Sequence, residues 1–213
     1  MKVGIIDYGA GNLGSIARAL EQLRVSPILV DRAIHLHGTD ALILPGVGNF
    51  TDCMQILLKG GWVNAIKDEV NGYNKPLLGI CLGMQLLADF GVEGAIDPSV
   101  GTAGLGLVPG RVVSLADEGC SLRVPHVGWN SITNLNSKSG LFHSIAEGTD
   151  FYFVHSYVFV PDQQQSVLAQ AEYDIPFAAS VSVGRVWGTQ FHPEKSSRAG
   201  MQLLHNFFYN QQC

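Results

Sequence analysis

Pro76-Leu77-Leu78-Gly79-Ile80-Cys81-Leu82-Gly83-Met84-Gln85 reads as a short apolar strand that turns sharply into a helix. A run that is apolar on both faces belongs in a sheet covered on both sides. A cysteine with glycines two positions before and two after it follows the nucleophile-elbow pattern, with Cys in place of Ser. Small residues are required there because the strand-to-helix turn brings two backbones together, and side chains would clash. The turn lifts the sulfur above the C-terminal edge of the sheet, where open α/β sheets bind ligands. The N–H groups and positive end of the following helix favour a thiolate, and the Leu82 N–H is aimed at any oxyanion formed there. The same apolar setting also suits a buried structural cysteine, and the elbow alone does not choose between the two.

The flanking sequence extends the pattern. Lys2 to Asp7, Pro27 to Val30 and Ala41 to Leu44 are further apolar runs. Between the first two, Leu13, Ile16, Ala17, Leu20 and Leu23 share one face of a helix over Asn12 to Arg24. Helices are also predicted over Phe50–Val70 and Leu82–Phe90. Strands alternating with helices give a largely parallel sheet with helices on both faces. The second half differs. Gly91 to Gly106 reads as a loop, and Arg111–Leu115, Phe151–Val160 and Phe177–Gly188 read as strands in an antiparallel or mixed extension. A last helix is predicted over Arg198–Asn210.

The chain has 213 residues, which fits one α/β domain over its full length. Hydrophobic residues make up 46%, enough for a sizeable core. Only 15% are charged, as expected where a partner covers surface or the sheet is deeply buried. A formal net charge of -5 and the lack of a basic arm argue against nucleic acid. Asp7 cuts short the first apolar run, so no signal peptide is read there, and no stretch approaches the roughly 18 apolar residues of a membrane span. A cytoplasmic protein is expected. Cys53, Cys81, Cys120 and Cys213 lack CxxC spacing, so they read as free thiols, with no metal site.

A base for Cys81 is suggested by Phe191-His192-Pro193-Glu194. Pro193 disfavours helix at His192, and in an extended segment residues two apart point the same way. Glu194 would then hold one imidazole nitrogen while the other faces the thiol, a nucleophile, base and orienter in the order Cys81, His192, Glu194. Taken alone, a surface His-Pro-Glu turn is the simpler reading. Pro45-Gly46-Val47-Gly48 ends another strand at the same sheet edge, and an amide of Val47 or Gly48 would complete an oxyanion hole with Leu82.

Gly9-Ala10-Gly11-Asn12-Leu13-Gly14 supports a competing reading. It is a GxGxxG after a strand, with Asp31 about 20 residues on, as in NAD(P)-binding folds. That reading leaves the elbow and His-Pro-Glu unexplained, and the chain is short for a second, substrate-binding domain. A catalytically silent, partner-binding subunit is a further alternative.

Pro45-Gly46-Val47-Gly48, Gly79-Ile80-Cys81-Leu82-Gly83-Met84-Gln85 and Phe191-His192-Pro193-Glu194-Lys195-Ser196 resemble the class I, triad-type glutamine amidotransferases. Asp7-Tyr8-Gly9-Ala10-Gly11-Asn12, Pro125-His126-Val127-Gly128-Trp129-Asn130 and Val154-His155-Ser156-Tyr157 narrow the resemblance to the glutaminase subunits of imidazole glycerol phosphate synthases. The resemblance implies a flavodoxin-like fold, L-glutamine as substrate and no cofactor. It implies a heterodimer with a (β/α)8-barrel cyclase that uses the ammonia in histidine biosynthesis. It further implies that Gly48, Gln85, Glu93, His155, Ser156 and Tyr157 bind substrate, Glu93 through the α-amino group, and that Asn12, Trp129 and Lys195 face the cyclase.

Overall fold

Strand and helix alternate through the first half: β1 (Lys2–Ile6), α1 (Leu13–Gln22), β2 (Ser26–Val30), β3 (Ala41–Leu44), α2 (Phe50–Lys59), α3 (Trp62–Lys67), β4 (Leu77–Ile80) and α4 (Leu82–Gln85). The second half is mostly strand: β5 (Phe90–Gly91), β6 (Thr102–Ala103), β7 (Gly110–Ser114), β8 (His126–Ser131), β9 (Asp150–His155), β10 (Tyr157–Pro161), β11 (Val167–Tyr173), β12 (Ile175–Val183) and β13 (Val186–Thr189), closed by α5 (Ser197–Tyr209). This is a computed structural model that describes residues 1–136 and 139–209. Asn210, the expected end of the last helix, and Cys213 lie outside the described residues.

The main sheet runs β11-β12-β13-β4-β3-β1-β2. From β2 to β13 every neighbouring pair is parallel. That is the flavodoxin-like strand order. The β13–β12 and β12–β11 pairs are antiparallel, which is the expected mixed extension. Alternation along the buried strands fills both faces. Ala41, Ile43, Leu78 and Ile80 pack on one side with residues of α1 and α5, including Leu20, Leu203 and Phe207. Leu42, Leu44 and Leu77 pack on the other with residues of α2 and α3, including Leu57, Trp62 and Ile66. Runs apolar at every position are therefore a consequence of two covered faces. A smaller sheet, β10-β7-β5-β6, and a two-stranded β8-β9 ribbon stand beside the main sheet. No helix among the described residues is long and apolar enough to cross a membrane.

Several elements differ from the sequence reading: Phe177–Gly188 is a hairpin of β12 and β13, the predicted Gly91–Gly106 loop holds β6, and three further differences have clear causes. The Phe50–Val70 helix is broken at Gly60-Gly61, where Gly61 takes a φ of 72° and a Cβ on Gly60 would overlap the Trp62 indole. The Leu82–Phe90 helix stops after one turn because the Leu86, Leu87 and Ala88 carbonyls accept from the N–H groups of Leu105–Val108 rather than from their own helix. The Phe151–Val160 strand is two strands, β9 in the ribbon and β10 in the smaller sheet, parted at Ser156.

The elbow is held by close backbone contact. A Cβ on Gly83 would overlap the Leu44 carbonyl oxygen, and one on Gly46 would come within 2.7 Å of the Gly83 nitrogen. Gly83→Ala should therefore destabilise the fold by about 3 kcal/mol in denaturant unfolding. Gly38→Ala, at an open position, should stay within about 0.5 kcal/mol. Equal effects would contradict this packing.

Candidate active site

Cys81 sits between β4 and α4 with φ 55° and ψ -113°. A non-glycine residue holds such a backbone only where the surroundings impose it, at a cost of about 1–3 kcal/mol. Here the Cys81 N–H is tied to the Thr189 carbonyl on β13 at 2.7 Å, and the Cys81 carbonyl accepts from Met84 and Gln85 at 3.0 and 3.3 Å. A single turn of helix has little dipole, so what α4 offers the sulfur is local. The Leu82 N–H finds no acceptor among the described residues. The thiol reaches the Val154 carbonyl of β9 at 3.7 Å.

His192 approaches from the end of β13. Its N–H donates to the Tyr152 carbonyl of β9 at 2.9 Å. Buried Ser196 closes the clamp, accepting from the Tyr152 N–H at 3.0 Å and donating to the His192 carbonyl at 2.6 Å. The segment was expected to be extended. His192 is, with φ -98° and ψ 96°, but Pro193–Lys195 winds into a 3-10 turn because proline's fixed φ suits the first position of a helix. The turn still brings Glu194 back, and His192 Nδ1 donates to its Oε1 at 2.8 Å. The other ring nitrogen is left for Cys81, whose nearness helps to raise the His192 pKa. Glu194 Oε2 is buried and has no partner among the described residues, so the imidazole is the group its charge acts on. Burial alone would push the His192 pKa down, but hydrogen bonds and charge from Cys81 and Glu194 lift it from 6.5 to about 9.

Cys81 and His192 open onto a cavity of about 290 Å³, lined also by Gly46, Val47, Gly48, Gln85, Glu93 and Tyr157. Buried Cys53 on α2 donates its thiol to the Val47 carbonyl at 3.4 Å, from the core side. A peptide is planar and trans, so the N–H of Gly48 on that same peptide points away from Cys53. Gly48 has a φ of 99°, which glycine adopts without penalty. Glu93 is fixed to the start of α2, its Oε2 accepting from the Phe50 N–H at 3.0 Å. Its pKa is raised by burial, against the pull of the Phe50 N–H and with help from the Asp52 charge.

Gln85 lies at the cavity, but both of its N–H donors are committed, to the Tyr157 carbonyl and to Gln190 Oε1, each at 2.9 Å. Only its oxygen remains for a ligand. His155 is buried and neutral. Burial lowers its pKa to about 3, against a hydrogen bond to the Tyr157 carbonyl and reinforced by the charges of His126 and His192. Its Nδ1 donates to Tyr157 O, so its Nε2 accepts from His126 Nδ1 at 3.0 Å. Ser156 links β9 to β10, its carbonyl accepting from Leu115. Four groups at the site were given no role from sequence, although three of them fall inside the motifs that carry the resemblance: Gln190, Ser196, His126 and the Val154 carbonyl. Each acts through a partner distant in sequence, or through main chain.

Trp129 is 54% exposed, so it is not a core aromatic. It meets Tyr152 edge-on at 6.1 Å, and Lys195 Nζ lies 5.8 Å from the same ring, so the half-buried Tyr152 joins exposed Trp129 and Lys195. Asn12 is exposed at the start of α1. The glycine loop of the nucleotide reading has another structural use. Gly11 packs on Pro45, where a Cβ would come within 2.9 Å, and the Tyr8 hydroxyl donates to the Pro45 carbonyl at 3.0 Å. A Cβ on Gly14 would meet only the tip of Arg18, so that glycine is not needed for helix–strand packing as the dinucleotide fingerprint requires.

This strand order brings Cys81, His192 and Glu194 to the C-terminal edge of the sheet, the arrangement by which α/β cysteine hydrolases are recognised. The family model for class-I glutamine amidotransferases matches residues 4–211, and the chain belongs to that family. It is 46% identical over 208 residues to a Geobacillus protein described as imidazole glycerol phosphate synthase subunit HisH, covering 96% of this chain and 95% of the relative. A Halalkalibacterium halodurans protein of the same description is 47% identical over 208 residues, covering 96% and 94%. Among solved structures, a glutamine amidotransferase superposes with a TM-score of 0.74 at 24% identity over 98% of this chain and 97% of that one. PurLQS from Thermotoga maritima does so with a TM-score of 0.74 at 18% identity, covering 99% of each chain.

A raised histidine pKa stabilises the native state fully below its unfolded value near 6.5, and that stability is lost as pH rises through about 9. By NMR, the His192 ring should titrate near pH 9. Glu194→Gln should move the midpoint to lower pH, because it removes a hydrogen bond and a charge that favour imidazolium. An unmoved midpoint would contradict the pairing.

Proposed function

We propose that this chain, acting over residues 1–213 as one glutamine amidotransferase domain, hydrolyses L-glutamine to glutamate and ammonia and delivers the ammonia to a (β/α)8-barrel cyclase that forms imidazole glycerol phosphate in histidine biosynthesis. The observation that carries the reading is His192, hydrogen-bonded to Glu194 on one side and lining with Cys81 a cavity that also presents Glu93 and unpaired loop amides. The two HisH relatives and the family match support the same pathway.

The chemistry runs in two halves. Cys81 passes its proton to His192, and the thiolate attacks the γ-carboxamide carbon. The tetrahedral oxyanion is met by the Leu82 N–H and by the Val47–Gly48 loop. The C–N bond breaks as His192 returns the proton to the leaving nitrogen, and a glutamyl thioester remains on Cys81. His192 then takes a proton from water, which attacks the thioester and releases glutamate and the thiol. Glu194 holds the imidazolium in each half. Glu93 and the His155–Ser156–Tyr157 segment hold the amino-acid end, and the Gln85 oxygen faces it. One oxyanion donor of this kind contributes about 100- to 1,000-fold in rate.

Ammonia released to neutral water becomes ammonium and loses its nucleophilic lone pair, so direct delivery to a docked partner is chemically required for efficient transfer. The patch of Trp129, Tyr152 and Lys195, with Asn12, is the surface we assign to the cyclase. We place the activity in the cytoplasm, where the thiols stay reduced.

Glutamate release from glutamine should be measurable for the purified chain and should rise when the cyclase and its ligand are added. Cys81→Ala should lower it by about 10,000-fold or more. Substantial release by Cys81→Ala would refute the nucleophile, and equal rates with and without the cyclase would refute the coupling.

A further inference from the structure

Gln190 is fully buried two residues before His192, and the reaction as drawn makes no use of it. Its main-chain N–H is fixed to the Ala179 carbonyl of β12 at 2.9 Å. The orientation of its carboxamide is dictated two links away. A main-chain carbonyl can only accept, so Gln85 must turn Nε2 toward Tyr157 O. The same Nε2 has one more proton to give, and it gives it to Gln190 at 2.9 Å. Gln190 must therefore present its oxygen there. Its own Nε2 is left on the opposite branch, 3.9 Å from Cys81 Sγ.

We propose that Gln190 is a positioning residue for the nucleophile: the relay Tyr157 O, Gln85, Gln190 holds an amide N–H toward Cys81 Sγ, where it aims the sulfur and stabilises the thiolate. The inference rests on Cys81 being the glutaminase nucleophile. In the resting thiol the sulfur is the donor, to Val154 O. Once the proton has moved to His192, the sulfur is only an acceptor, and Val154 O offers it nothing. Gln190 and His192 then supply its side-chain hydrogen bonds. A long N–H···S contact to a neutral thiol tightens when the sulfur is charged, as charge-assisted bonds do. The other ionisable groups around the sulfur are Glu194 behind His192, His155 on β9, Tyr8 after β1, and Glu93, Tyr157 and Lys195 at the cavity. None of these shares a hydrogen bond with Sγ among the described residues.

The rate of Cys81 alkylation by iodoacetamide, followed at its own peptide by mass spectrometry across pH on the full chain, tests this. Displacement of iodide builds no oxyanion, so the readout follows the thiolate alone. Gln190→Met should move the rise of the curve to higher pH by roughly one unit, as expected for losing a hydrogen bond to a charged group. Gln85→Met, which cuts the relay but leaves Gln190 in place, should move it the same way by less. If the variants fold poorly, wild-type protein carrying ¹⁵N-glutamine answers the question, because the Gln190 side-chain amide signals should shift as Cys81 ionises. An unshifted alkylation curve in folded Gln190→Met, or Gln190 signals indifferent to the ionisation, would overturn the proposal. Lack of glutamate release by the wild type with the cyclase and its ligand present would remove the glutaminase reading instead, and a shifted alkylation curve would then show only that Gln190 acts on the Cys81 thiolate.

Discussion

Backbone-to-backbone contact at the end of β3 and β4 is the constraint on which the site depends. Gly83 lies against the Leu44 carbonyl, Gly46 against Gly83 and Leu82, and Gly79 against Gly83. Side chains at any of the three would separate the two strand ends. Because they are absent, the loop after β3 and the elbow after β4 come together with main-chain N–H groups exposed. The strained Cys81 backbone is held by the Thr189 bond on one side and the first turn of α4 on the other. Packing in the sheet thus supplies the geometry that the chemistry needs.

Around that frame the polar groups are arranged by what main-chain carbonyls can accept. The Tyr157 carbonyl takes Gln85 Nε2 and His155 Nδ1, so it sets the orientation of one amide pair and one imidazole pair. The result is a division of labour among buried histidines. His126 and His155 are pushed toward neutrality by burial, whereas His192, between a thiol and a carboxylate, is pushed toward the cation. Glutamine hydrolysis needs one mobile proton beside the sulfur, and His192 is the imidazole whose surroundings favour holding it.

The strands, the parallel order and the elbow were legible in the sequence because they are written in local patterns: apolar runs, flanking glycines and helical periodicity. The pairing of His192 with Glu194 was also legible, since two residues separate cause from effect, although the turn between them is 3-10 and not extended. Helix lengths were not. Residues 82–90 are apolar enough for a helix, but segment 105–108 captures their carbonyls from 19 or so positions away. The roles of Gln190 and Ser196 were not legible for a related reason. Their meaning lies in Gln85, more than 100 residues back, and in Tyr152 on a separate ribbon. The glycine-rich β1–α1 turn misled in the other direction. Its local pattern fits a nucleotide loop, yet its glycine packs on Pro45 and braces the loop beside Cys81.

The central claim is that Cys81 carries the glutamyl group during turnover. Intact-protein mass spectrometry after acid quench, with glutamine, cyclase and its ligand present, tests it most directly. The account predicts a species heavier by one glutamyl group, mapped to the peptide containing Cys81 and discharged by hydroxylamine. Glutamate produced at full rate with no acyl species at any quench time, or an acyl group on another residue, would contradict it.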